Sequence, residues 1–98
     1  MGRNEQSRKP ALTAGDQELF GRIAYAMVVV GLWQKTTRRQ TESFDFFEIR
    51  GQDGEPAFRI GRQSGGRYVL LKLPTGAVSY GKTLAELLRS IAYVPESA

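Results

Sequence analysis

Phe44, Phe46 and Tyr68 are interleaved with Arg50, Arg59 and Lys72 in stretches rich in aromatic and branched side chains. Residues two apart in a strand share a face, so this interleaving predicts a sheet face on which rings and cations sit side by side. Such a face can stack bases on its rings while its cations meet phosphates. The candidate nucleic-acid-binding residues are therefore Arg38, Arg39, Arg50, Arg59, Arg62, Arg67 and Lys72, with Tyr68 and Phe46 as stacking groups. A second reading of the same face stands beside this one. Leu70 and the two phenylalanines form an apolar patch of a kind that monomers rarely expose, which suits a homodimer or a protein partner.

A more formal match is Gly76-Ala77-Val78-Ser79-Tyr80-Gly81-Lys82-Thr83, which satisfies G-x-x-x-x-G-K-[ST] and resembles a Walker A element by pattern. There, backbone N–H groups cradle phosphates, the lysine neutralises them and the hydroxyl binds Mg²⁺. The chemistry also needs a later strand to deliver a Mg²⁺-binding aspartate, and no aspartate follows Asp53. Val78 and Tyr80 are strand formers where a wrapping loop wants small residues. What remains is a weaker anion site at Lys82 and Thr83. Gly61 to Arg67 reads either as a glycine-rich anion loop flanked by arginines or, more simply, as a hairpin turn.

The clustered carboxylates are Asp45, Glu48, Asp53 and Glu55. Asp45 and Glu48 have opposite parity on one strand, so they cannot converge as an acid and base pair. The chain has no histidine and no cysteine, which excludes Ser-His-Asp and Cys-His catalysis, thiolate nucleophiles and zinc-finger spacings. No catalytic residue, metal site or cofactor is expected. The 98 residues suit one domain, and the net charge of +4 permits a polyanionic partner without requiring one. Met1 to Pro10 leads into polar sequence and shows no apolar leader, so a cytoplasmic setting is expected. The apolar run Ala24 to Trp33 covers only about half of a bilayer core, which excludes a membrane span.

The elements that must position these residues follow from local signals. Met1 to Leu12 mixes Arg3, Arg8 and Lys9 with polar residues and reads as a basic disordered tail, either a solubilising leader or an arm that touches phosphates. Thr13 and Asp16 have the spacing of a helix N-cap, and Leu19, Phe20, Ile23, Ala24 and Met27 form the buried stripe of a helix that runs to about Trp33. Val28 and Val29 lie partly off that stripe and suit a second subunit. Gln34 to Thr41, with Lys35, Arg38 and Arg39, reads as a basic loop.

Three strands are predicted at Phe44–Arg50, Ala57–Arg62 and Arg67–Leu73, separated by Gly51-Gln52-Asp53-Gly54 and Ser64-Gly65-Gly66, with a short fourth at Ala77–Tyr80. Parity sends Phe47, Ile49, Phe58, Ile60, Val69, Leu71 and Leu73 toward the helices. Thr83 and Glu86 fit a capping box for a second helix ending near Tyr93, stopped by Pro95. The fold class is α+β: an N-terminal helix, a three- to four-stranded antiparallel meander and a C-terminal helix, with the helices on one face. The domain spans 13–94, between tails at 1–12 and 95–98. This element order resembles that of double-stranded-RNA-binding domains, whose run of lysines at the start of the final helix is represented here by Lys82 alone.

Overall fold

The computed structural model describes residues 10–94; the predicted basic arm at Arg3, Arg8 and Lys9, Pro95 and the short C-terminal tail lie outside the described residues. Helix α1 spans Ala14–Val29. It opens with a reciprocal cap, in which Thr13 Oγ1 accepts from the Asp16 N–H at 3.0 Å and Asp16 Oδ2 accepts from the Thr13 N–H at 3.1 Å. It closes at Gly31, whose φ of 85° suits a residue without Cβ. There the Gly31 N–H bonds the Val28 carbonyl and the Leu32 N–H bonds the Met27 carbonyl, a paired closure that satisfies the helix's last carbonyls. The helix therefore stops short of Trp33, which instead opens a strand.

Five strands follow in a single antiparallel meander: β1 (Trp33–Gln40), β2 (Phe44–Gly51), β3 (Pro56–Gln63), β4 (Tyr68–Lys72) and β5 (Ala77–Gly81), in that spatial order. Helix α2, Leu84–Leu88, follows the sheet. Glycines at positive φ make the turns at Gly54, Gly65-Gly66 and Gly76, where the sequence places them. The α+β class with both helices on one face is as expected, with one strand more than expected. The difference from the double-stranded-RNA-binding order is twofold, since β1 precedes the predicted strands and α2 has only five residues.

The stretch read as a basic loop is β1. Apart from Trp33 it offers no apolar alternation, because it is an edge strand whose side chains are mostly exposed. The register also corrects β4. Ile60 pairs with Leu70 and Arg62 with Tyr68, so Tyr68, Leu70 and Lys72 share the helix side, and Val69 and Leu71 face away. Both parities of β4 are apolar, so alternation carried no information there, and the pairing with β3 decides it.

The main core joins Phe20, Ile23, Ala24 and Met27 of α1 to Trp33, Phe47, Ile49, Ile60 and Leu70 of the sheet and to Leu84, Leu87 and Leu88 of α2. The Phe20 ring stacks on Phe47 at 3.9 Å and lies 5.9 Å from Trp33, pinning α1 over β1 and β2. Leu12 and Pro10, expected in the disordered tail, are buried against this core or its margin.

Two glycines have opposite surroundings. A Cβ on Gly61 would meet the Asp45 carbonyl oxygen and stand 2.5 Å from Phe46 Cα, so β2 and β3 approach there more closely than any side chain allows. A Cβ on Gly21, inside α1, would meet nothing within 4 Å. Gly61→Ala is expected to destabilise by about 3 kcal/mol, whereas Gly21→Ala should stabilise by about 0.5–1 kcal/mol through helix propensity. Chemical denaturation midpoints of the two variants check both signs.

Candidate nucleic-acid interface

Two polar assemblies on the helix side consume several of the residues singled out in the sequence. Asp45 is fully buried on β2, and Arg38 of β1 grips it with Nε at 3.1 Å and Nη2 at 2.7 Å. The Leu12 N–H donates to the same carboxylate at 2.8 Å. Burial alone would push the Asp45 carboxyl up, but the Arg38 hydrogen bonds, the Leu12 N–H and the Arg38 charge together hold it below the ordinary carboxylate range. Arg62 forms the second assembly. Its Nη1 donates to the Ala11 carbonyl at 3.2 Å, its Nε donates to the Gly66 carbonyl at 3.1 Å, and its guanidinium lies 5.4 Å from the Tyr68 ring centre. The Tyr68 hydroxyl donates to Asp16 Oδ2 at 2.6 Å. Burial first, then this bond and the Asp16 charge, raise the Tyr68 pKa against an opposing contribution from Arg62.

Tyr68 is thus a structural pin of α1 on β4 and not a stacking group on the opposite face. Lys72 also falls on the helix side, opposite Phe58. Arg38 and Arg62 keep partly exposed guanidinium groups, but the Arg38 donors are directed at Asp45, and those of Arg62 hold Ala11 and the β3–β4 turn, while Gln40 Nε2 donates to the Pro10 carbonyl.

The sheet face turned away from the helices carries the remaining candidates. Register places Thr37, Glu48, Arg59, Leu71 and Val78 in one row and Arg39, Phe46, Gly61, Val69 and Tyr80 in the next. Phe46 and Val69 are 4 % and 3 % exposed although both helices pack on the other side. Phe46 is therefore filling and not a free ring. Phe44 stacks on it at 4.6 Å, and the Arg59 guanidinium lies 5.4 Å from its ring centre.

Glu48, nearly buried at the middle of this face, accepts from Arg59 at 3.0 Å, with Arg39 Nη2 3.9 Å from its other oxygen. Asp45 and Glu48 do point to opposite faces, as parity requires. Arg50 reaches round to donate to the Gly54 carbonyl at 2.7 Å and steadies the β2–β3 turn. Arg67 lies 4.4 Å over the exposed Tyr80 ring, beside a shallow cleft that Lys82 and Glu86 also line. Lys35, in register with Arg50, adds a further cation. Tyr80 and Lys35 were missing from the sequence-derived set, though the alternation Val78-Ser79-Tyr80 marks Tyr80 as sharing a face with Val78.

The Gly76–Thr83 string forms strand β5 and the turn into α2, not a phosphate loop. Its anion position is already filled by a carboxylate. Glu86 Oε1 accepts from the Lys82 N–H at 3.0 Å, and Thr83 Oγ1 accepts from the Glu86 N–H at 3.1 Å. Gly61–Arg67 contains a hairpin turn, closed by the Gly66 N–H on the Gln63 carbonyl. Among the described residues no group of three or more His, Cys, Asp or Glu converges, and no helix is long and apolar enough to cross a membrane. No protein-family model matches the chain, and comparison with curated proteins and with solved structures returned no match either.

Because the Asp45 pKa is lowered in the folded state, its stabilisation is complete above the unfolded value of about 3.9 and is lost as pH falls through the lower folded value. Asp45→Asn should therefore flatten the acid limb of the stability curve, and Arg38→Ala should cost about 3 kcal/mol at neutral pH by stranding a buried carboxylate. Urea titrations from neutral pH to below the carboxylate range check both. Parallel acid limbs in wild type and Asp45→Asn would assign the acid sensitivity elsewhere.

Proposed function

We propose that this chain is a small non-enzymatic binding module that engages nucleic acid through the sheet face turned away from its helices, in the cytoplasm and without a cofactor. One observation carries the reading: that face presents Lys35, Arg39, Arg59 and Arg67, with Arg50 at its margin, against Glu48 and, in the cleft beside Arg67, Glu86, with the Tyr80 ring exposed among them. Arg59 is committed to Glu48, and its removal would strand that near-buried charge. Arg39 is only loosely held, at 3.9 Å, and its side chain is 57 % exposed. Lys35, Arg39 and Arg67 are accordingly the phosphate-binding group, and Tyr80 beneath Arg67 is the stacking platform. A sheet face with an exposed ring suits a single strand better than a rigid duplex.

A second copy or another protein on the same face is the competing reading, and the exposure of Val78 beside Tyr80 favours it. Anisotropy titrations with single-stranded and duplex RNA and DNA at several salt concentrations separate the two. Salt-sensitive binding is expected, and the combined Lys35→Ala, Arg39→Ala, Arg67→Ala variant should flatten the log–log salt slope by about 2 for a single strand. Tyr80→Ala should weaken binding by about 1–3 kcal/mol with little change in that slope. Unchanged affinity in the triple variant would reject the site. Absent nucleic-acid binding, with a concentration-dependent mass that Val78→Lys abolishes, would give the face to a protein interface.

A further inference from the structure

Among the described residues strand β1 lies at the sheet edge and pairs only with β2. The Thr41 N–H bonds the Phe44 carbonyl at the hairpin, so ladder alternation turns the backbone groups of Lys35, Thr37 and Arg39 toward β2 and those of Thr36, Arg38 and Gln40 to the open side. Alongside that open edge runs a groove of about 490 Å³ between α1 and β1. Phe20, Ala24 and Phe47 form its apolar floor, Tyr25 and Val28 its exposed rim, and Thr36 its strand wall. Gly21 lines it too. A glycine inside a helix weakens it, and nothing within the described chain occupies the space a Cβ there would take. The absent side chain leaves room for something outside the fold.

We propose that this groove docks an extended acidic segment of a partner protein, which adds to the sheet beside β1 and seats one bulky apolar side chain over Gly21 between Phe20, Ala24 and Phe47. Strand addition supplies main-chain hydrogen bonds for affinity and a side-chain pocket for specificity, and this edge has both. Charge selects the partner. β1 carries Lys35, Arg38 and Arg39 and no carboxylate, so two copies paired through β1 would bring like charges together across the seam, which destabilises a ladder. The same cations that discourage self-pairing attract an acidic strand. This site shares Lys35 and Arg39 with the outward sheet face, but its groove and strand edge lie apart from that face and do not depend on that face binding nucleic acid.

The test uses the full chain and a fluorescent synthetic peptide, Glu-Val-Glu-Phe-Glu-Val-Glu, whose apolar side chains fall on the groove side and whose carboxylates meet Lys35 and Arg39. Binding is expected with amide NMR shifts at Thr36, Arg38 and Gln40, and it should weaken about tenfold or more when every Glu is replaced by Lys. Gly21→Phe fills the groove where a side chain has open space, so it should fold at least as stably as wild type and bind the peptide about tenfold more weakly or worse. Gly21→Ala, which fills little, should retain binding. Equal affinity for the acidic and basic peptides, or undiminished binding by Gly21→Phe, would overturn the proposal. A concentration-dependent dimer abolished by Gly21→Phe would also overturn it, in favour of a second copy. Oligonucleotide-induced shifts confined to Thr36, Arg38 and Gln40 would overturn it in favour of nucleic acid.

Discussion

The buried carboxylate of Asp45 is the constraint on which the arrangement of the chain depends. A charge with no solvent exposure must have its lone pairs satisfied inside the protein, and Asp45 draws on two separate segments to do so. Arg38 ties β1 to β2, and the Leu12 N–H brings the chain before α1 down onto the sheet. With Leu12 held there, the cap at Thr13 starts α1 at a set point, and the Phe20 ring meets Phe47 and Trp33. Arg62 repeats the device one strand further on, gripping the Ala11 carbonyl and stacking on Tyr68, which in turn bonds Asp16. The polar network fixes where the helix begins, and the apolar contacts fix where it lies.

The two faces of the sheet solve different problems. The helix side buries a continuous core, and its polar groups are spent on holding segments together. The outward side has no described helix over it, yet it buries Phe46, Val69 and Glu48. Lys35, Arg39 and Arg67 stay exposed around them. A basic surface built this way follows from geometry more than from charge count, since Arg38, Arg50, Arg59 and Arg62 are already held by partners within the fold. Edge strand β1 stands where the two faces meet. Its odd residues contribute cations to the outward face, and its even residues wall the groove beneath α1.

How far the site was legible in the sequence depended on whether a residue's role was local. Arg59 was placed on the correct face because the parity of β3 is marked by Phe58 and Ile60 on one side only. Tyr68 and Lys72 were placed on the wrong face because β4 is apolar at both parities. β1 reads as a basic loop because Lys35, Thr36, Thr37, Arg38 and Arg39 carry no apolar period, as an edge strand beside an open groove need not. Lys82 and Thr83 looked like an anion site until Glu86, one helical turn away, filled it.

The sequence by itself determined what contiguous residues can decide. Caps at Thr13 and Thr83, glycine turns at Gly54, Gly65-Gly66 and Gly76, and the parity of β2 and β3 are short-range backbone and solvation effects, and the absence of histidine and cysteine closes whole classes of chemistry outright. Only the tertiary structure decided the register of β4, the existence of β1, the stop of α1 against Trp33 as a strand residue, and which arginines remain free. Each of those depends on a partner far along the chain: Leu70 against Ile60, Arg38 and Leu12 on Asp45, Arg62 on Ala11. Pairing across such separations is settled by packing and by the satisfaction of buried polar groups, and neither is written in the neighbouring residues.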